Sequence, residues 1–275
     1  PAHERAAWFQ RSVVQTYLEQ GDIENVKKEV EKLKTGYSSH PDYINQMTET
    51  AERLRRKSMY AMAGDMYDYL LNKYPECSKA SVLKRMQIQN SLDLGKSEFA
   101  KSKVDGYFAK YSTKVDFVQQ ANELGGEFMN RKDYDAASQI YNALAKQFPD
   151  HPRAVWFQRS IFQNYLEMGK QSEANAVVKS IMTRYSSHPD YYNQIGLIAQ
   201  KYRVVAKDYA AGQTLYRHLL ERFPNHPEAY RVQAVIVKTC LEQGDMAGAD
   251  TEMQTLLSRY AGPKVFLEAA DLIWI

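Results

Sequence analysis

Residues 121–149 read ANELGGEFMNRKDYDAASQIYNALAKQFP. Leu124 and Phe128 stand four apart, which places them on one face of a helix. Ala137, Tyr141 and Leu144 continue at spacings of four and three, the inner face of a second helix. Gly125 and Ala137 are small, so two antiparallel helices can approach closely where they meet. Between the helices lies Arg131-Lys-Asp133, and an Asp suits a helix start. Pro149 stops the second helix, because it has no N–H to donate and clashes with the preceding turn. The stretch therefore predicts one helical hairpin.

That hairpin recurs. WFQRSVVQTYLEQG begins at Trp8 and WFQRSIFQNYLEMG at Trp156, with ten of fourteen positions identical and 148 residues between them. YSSHPDY begins at Tyr37 and, unchanged, at Tyr185. Half of that offset, about 74, connects Gly21, Gly95, Gly169 and Gly244, which close LEQG, LDLG, LEMG and LEQG. It also connects the pairs Tyr74-Pro75, Phe148-Pro149 and Phe223-Pro224. Two interleaved series remain, about 37 residues apart, so the chain reads as seven repeats and the start of an eighth. Their bounds are approximately 4–40, 41–77, 78–114, 115–151, 152–188, 189–226 and 227–263, with 264–275 partial. A single array over 1–275 follows as the expected domain organisation.

The spacing of Leu124, Gly125, Phe128, Ala137, Tyr141 and Pro149 resembles the tetratricopeptide repeat, with Ala121 in place of the family's Trp. The second repeat follows with Ala51, Leu54, Ala63, Tyr67 and Pro75, and the sixth with Ala199, Tyr202, Gly212, Tyr216 and Pro224. The odd repeats lack the terminal Pro and carry Gln10, Lys84, Gln158 and Gln233 at the Trp place. The resemblance implies an all-α, right-handed superhelical solenoid of stacked antiparallel hairpins, with the first helices lining a concave groove. The sixth repeat holds one extra residue near Val204 to Lys207, expected as a longer loop, a π-bulge or an extended first helix. In Ser39-His-Pro-Asp42 and Ser187-His-Pro-Asp190 the S-x-x-D spacing predicts a capping box for the next helix.

Composition narrows the function. Apolar residues make up 44% of 275, enough for a large core, and no apolar run approaches the roughly 20 residues of a membrane span. The net charge of +3, from 36 basic and 33 acidic residues, is too balanced to argue for nucleic acid. Cys77 and Cys240 fit neither a disulfide framework nor a metal ligand set. His3, His40, His151, His188 and His226 recur at the joints between repeats, spread along the array rather than converging as metal ligands must. The twenty tyrosines are expected mostly in the core or half-buried, and the basic run Arg53 to Lys57 as a solvated helix end. No catalytic set, cofactor site or metal site is expected.

The predicted function is a non-catalytic scaffold that binds an extended peptide or partner protein in the groove. The predicted groove residues are Trp8, Arg11, Gln15 and Glu19, one stripe of the first helix, with Trp156, Arg159, Gln163 and Glu167 as their copies. Arg55, Arg85, Asn122 and Asn193 join them from other first helices. Phe9, Val13 and Tyr17 form a second stripe, expected to face the hairpin core. The competing role for each Trp is to fill the step between adjacent hairpins. Two other functions fit the pattern: an accessory domain of an enzyme whose catalytic part lies outside this sequence, and an RNA-binding helical repeat. The Y/F-P-x-H-P joints and LLERFP resemble bacterial tetratricopeptide proteins of the cell envelope. Pro1-Ala-His-Glu-Arg-Ala aligns with Pro149-Asp-His-Pro-Arg-Ala, and the chain closes on the apolar DLIWI, so further repeats or another domain are expected on both sides.

Overall fold

The computed structural model describes residues 3–260 and 262–274. Pro1, Ala2, Ile275 and the Trp274 side chain, on which the expectation of flanking repeats partly rests, lie outside the described residues. The first hairpin is α1 (Ala6–Gln20) and α2 (Ile23–Gly36), the second α3 (Tyr43–Arg56) and α4 (Tyr60–Lys73). The third is α5 (Ala80–Asp93) with α6 (Ser97–Ser102) and α7 (Val104–Tyr111); the fourth is α8 (Phe117–Asn130) and α9 (Tyr134–Gln147). The fifth is α10 (Ala154–Glu167) and α11 (Gln171–Arg184). The sixth is α12 (Tyr191–Lys201), a π-helical turn (Tyr202–Ala206) and α13 (Tyr209–Arg222). The seventh is α14 (Ala229–Glu242) and α15 (Met246–Arg259), and α16 (Pro263–Trp274) follows. No strand occurs among the described residues. The fold class is the expected one, all-α and built of stacked helical hairpins.

Each hairpin turn needs one residue in the left-handed region. Gly21, Gly95, Gly169 and Gly244 supply it in the odd repeats at φ 70–74°, where glycine meets no Cβ penalty. The even repeats place Ser58, Lys132 and Lys207 there at φ 56–61°, a conformation that costs an L-residue about 1–2 kcal/mol. An Asp follows in several turns and caps the second helix. Asp22 accepts from the Asn25 N–H at 3.1 Å, Asp208 from Ala211 at 3.0 Å and Asp245 from Gly248 at 2.9 Å.

The capping box predicted at Ser39 and Ser187 does not form. The helices begin at Tyr43 and Tyr191, so Asp42 and Asp190 are themselves the N-cap residues, and their carboxylates bind side chains instead: Asn45 and Gln46, or Asn193 and Gln194. The joints are held by histidine. Nδ1 of His3, His40, His151, His188 and His226 accepts the backbone N–H two residues on, at 3.0–3.2 Å in every case. Nε2 of His40 lies 3.2 Å from the His3 carbonyl and Nε2 of His188 3.1 Å from the Pro152 carbonyl, each in the preceding joint. With Nδ1 accepting within its own joint, and Nε2 of His40 and His188 reaching the joint before, these rings serve as structural ties.

The chain forms two compact units, residues 1–143 and 144–275. In the first, α1 packs on α2 and α3, α3 on α4 and α5, and α5 on α8. Its core holds Val14, Leu18, Leu33, Tyr43, Met47, Leu54, Tyr67, Leu70 and Leu83. Each such side chain contributes roughly 1.5–3 kcal/mol by leaving water. In the second, α10 packs on α11 and α12, α13 on α14, and α14 on α15 and α16. Phe162, Ile181, Tyr191, Ile195, Ile198, Tyr202, Leu219 and Ile236 lie in its core. None of the 20 tyrosines is exposed, as expected of residues that pack between helices.

Two hairpins depart from the plan. In the sixth, the extra residue is absorbed as the π-helical turn, which keeps Tyr202 buried against Phe162 at 5.1 Å. In the third, one predicted second helix is split at Lys103 into α6 and α7. Ser102 Oγ donates to the Phe99 carbonyl at 2.8 Å, a side-chain competitor to the helical ladder. The Lys103 N–H bonds to Ala100, a tighter i→i−3 turn.

Candidate partner-binding face of the first helices

The buried stripe of α1 is Ala6, Ala7, Gln10, Arg11, Val14 and Leu18. It lies one position round the helix from the stripe read off the sequence. Phe9 and Val13, expected in the hairpin core, are 52% and 40% exposed, while Tyr17 is half-buried. The apolar period that decides the inner face is 7, 14 and 18, and Arg11 falls inside it. The copies of Phe9 and Val13 in α10, Phe157 and Ile161, are 0% and 2% exposed.

The two tryptophans are exposed to the same extent but have different neighbours. Trp8 is 42% exposed and Trp156 44%. Trp8 meets Phe9 edge-on at 5.1 Å. The Trp156 indole N–H donates to Asp190, the N-cap of α12, and the Arg159 guanidinium lies over the ring at 5.9 Å. Burial opposes ionisation of Asp190, but hydrogen bonds from Asn193, Gln194 and Trp156 outweigh it and hold the carboxyl below its usual value. Asn193 is thus in the same cluster as Trp156 and Arg159, bonded to Asp190 at 2.9 Å. Gln163 is half-buried.

The arginines of the first compact unit do other work. Arg11 is buried and pairs with Glu49 on α3. Arg55 binds Asp93 at 2.5 Å and Glu52 at 3.1 Å, and Asp93 also takes Arg131. Burial disfavours the Arg55 charge, but Glu52 and Asp93 outweigh it and raise its pKa. Arg85 donates to Gln120 at 2.6 Å and Gln89 at 2.7 Å, with Glu123 at 3.4 Å. Arg231 and Glu268 repeat the arrangement between α14 and α16 at 3.1 Å. These are ties between successive first helices rather than open donors. The acids Glu49, Asp93 and Glu123 were not foreseen, although each stands 38 residues after its arginine, one period plus one. Gln15 bonds Glu19 along the exposed side of α1 at 2.7 Å, and the Asn122 carbonyl accepts from the Tyr141 hydroxyl at 3.3 Å.

At the Trp place of the odd repeats, glutamine bridges the two helices of a hairpin. Gln10 Nε2 donates to the Glu29 carboxylate at 2.9 Å, and Gln233 Nε2 to that of Glu252 at 2.6 Å. Cys77 and Cys240 are free thiols. Among the described residues no group of three or more His, Cys, Asp or Glu could hold a metal ion, and no helix is long and apolar enough to cross a membrane.

Residues 126–151 match the family model described as tetratricopeptide repeat. A search of curated proteins finds no matching relative. Among solved structures, the chain is similar to a tetratricopeptide repeat protein from Parabacteroides merdae, at 14% identity and TM-score 0.44, over 98% of this chain and 100% of that one. It is similar also to the C-terminal part of a TPR repeat-containing protein from Cytophaga hutchinsonii, at 14% identity and TM-score 0.49, over 96% and 100%. PilF of Pseudomonas aeruginosa is similar at 15% identity and TM-score 0.38, over 82% and 96%. The family match falls on the hairpin whose spacing first carried the resemblance, and helical hairpins of similar plan stand on either side of it: residues 126–151 match a tetratricopeptide repeat within an all-α chain of such hairpins.

Proposed function

We propose that the chain is a non-catalytic interaction scaffold, one array over 1–275, whose first helices bind extended peptide segments, with Trp8 as an anchor in the first compact unit and Trp156 as an anchor in the second. One observation carries this reading: two indoles at matching places, 148 residues apart, stay about two-fifths exposed on first helices. Exposed aromatics flanked by polar groups are what a binding face presents. Asp190 and Arg159 hold the Trp156 ring in place, so little side-chain entropy is lost when a partner covers it. Arg11, Arg55 and Arg85 are each tied to a carboxylate, which favours a peptide over a nucleic acid backbone.

The test is a peptide-display selection against the whole chain, followed by affinity measurements on Trp156→Ala. Selected peptides should lose at least about tenfold in affinity, as for loss of an interface anchor. The melting temperature should move by no more than about 2 °C, as for a surface substitution. A selection that recovers nothing, or peptides that bind the variant equally, would refute the proposal.

A further inference from the structure

The third hairpin inverts the charge of the first and the seventh, whereas the fifth, with Gln158, Lys170 and Val177 at the same positions, carries neither acid. In the first hairpin, Asp22 caps the second helix and Gln10 bridges to Glu29; in the seventh, Asp245, Gln233 and Glu252 do the same. The matching positions of the third are Lys96, Lys84 and Lys103. Two acids and an amide are thus replaced by three lysines.

The structure answers this replacement. α6 begins without a side-chain cap bond, as α11 does behind Lys170, but here the second helix also breaks, at Lys103. A cleft of about 490 Å³ opens between α4, α5 and α6–α7, lined by all three lysines. Lys84 donates only to Gln87 Oε1, at 2.6 Å, and Lys103 lies over the Phe99 ring at 4.5 Å. None of the three has a carboxylate within ion-pair distance among the described residues. Phe99 and Leu94, both exposed, form the apolar part of the lining. On the α4 side stand Asp65 and Asp68, with Asp68 accepting from Gln87.

We propose that this cleft binds the carboxylates of an acidic peptide segment, with Lys84 and Lys103 as their partners and Phe99 with Leu94 receiving an adjoining apolar side chain. Neither ammonium group has a carboxylate within ion-pair distance among the described residues, and a bound carboxylate would supply what Glu29 and Glu252 supply in the first and seventh hairpins. Burial and the nearby Lys103 push the Lys84 pKa down, and the field of Asp68 only partly offsets them. The apolar rim and the two aspartates suit a peptide with spaced acids better than a continuous phosphate backbone. The inference rests on the reading of the array as a peptide binder but not on the tryptophan face, and Trp156→Ala should leave it unchanged.

The probe is a fluorescein-labelled peptide, Glu-Glu-Phe-Glu-Glu, titrated into the full chain and followed by anisotropy. The expected result is binding that weakens with salt, that is at least about tenfold weaker in Lys84→Gln/Lys103→Glu, and that is absent for a Lys-Lys-Phe-Lys-Lys peptide. The double variant rebuilds the glutamine–glutamate bridge and should melt higher than the natural chain. On the natural chain itself, the acidic peptide should protect Lys84 and Lys103 from acetylation, read by mass spectrometry. Unprotected lysines, equal affinity in the double variant, or tighter binding of inorganic phosphate or a single-stranded oligonucleotide than of the peptide would overturn the proposal.

Discussion

Two adjacent glycines in α8 give a controlled test of how the fourth hairpin packs. A Cβ built on Gly125 would lie 2.8 Å from Cζ, 2.9 Å from Cε2 and 3.1 Å from the hydroxyl of Tyr141. On Gly126 it would meet nothing within 4 Å. Both residues are in mid-helix, where alanine is worth about 0.8–1 kcal/mol over glycine. For Gly126→Ala that gain stands alone, and the hairpin should be stabilised by about 0.8 kcal/mol. For Gly125→Ala the Tyr141 ring must move, yet it is buried and its hydroxyl bonds the Asn122 carbonyl. Overpacking of this kind costs about 1–3 kcal/mol. Loss of the hydrogen bond adds about 1 kcal/mol. The net effect is a destabilisation of about 1–3 kcal/mol, so the neighbours should differ by about 2–4 kcal/mol, with opposite signs. Amide hydrogen exchange across α8, supported by urea unfolding followed at the helical circular dichroism band, measures the difference locally. If Gly125→Ala were as stable as Gly126→Ala, the close approach of α8 and α9 at this point would be wrong.

Lys132→Gly should stabilise the fourth hairpin by about 1 kcal/mol, since the turn holds this residue at φ 61°; unchanged exchange protection in α8 would contradict it. Arg55→Met should cost about 2–4 kcal/mol in urea unfolding, because it leaves Glu52 and Asp93 partly buried with fewer partners; a neutral result would mean Arg131 alone satisfies Asp93. Burial and Arg153 lower the His151 pKa, so folding favours the neutral ring. Its stabilising contribution should be complete above about pH 6.5 and lost as the pH falls through the lowered folded value. Melting temperatures between pH 8 and 5 should therefore fall more steeply for the natural chain than for His151→Gln, and parallel curves would refute the assignment. Deleting Val205, which is exposed in the π-helical turn, should restore an α-helical turn like those of the second and fourth repeats; exchange protection that still breaks at Tyr202 would show the π geometry has another cause.

The hairpins themselves were legible in the sequence because their causes are local or periodic. The spacing of Leu124 and Phe128 fixes a helical face, Gly21 and its copies mark the turns, and Pro149 ends a helix. Even the extra residue after Tyr202 could be counted, although a longer loop, a π-bulge and an extended first helix all fitted it, and the structure shows the π-helical turn. The candidate face was less legible. One spelling took two environments: Phe9 and Val13 came out on the surface while their copies Phe157 and Ile161 are buried, and Arg11 went inside to meet Glu49. Partners at one period plus one residue, such as Arg55 with Asp93, were written in the sequence but took on meaning only when successive first helices lay side by side. The same holds for Lys84, Lys96 and Lys103. Their identities and offsets are sequence facts, but that they line one cleft follows from tertiary packing, which brings residues 19 apart on antiparallel helices into register and lets the helix break where a cation replaced an acid. Sequence by itself determined where the chain turns and which segments are helical, since those depend on backbone sterics and nearest neighbours. The tertiary structure alone decided which charges are neutralised and which stay open, since that depends on how close two distant side chains come and on how much water remains between them.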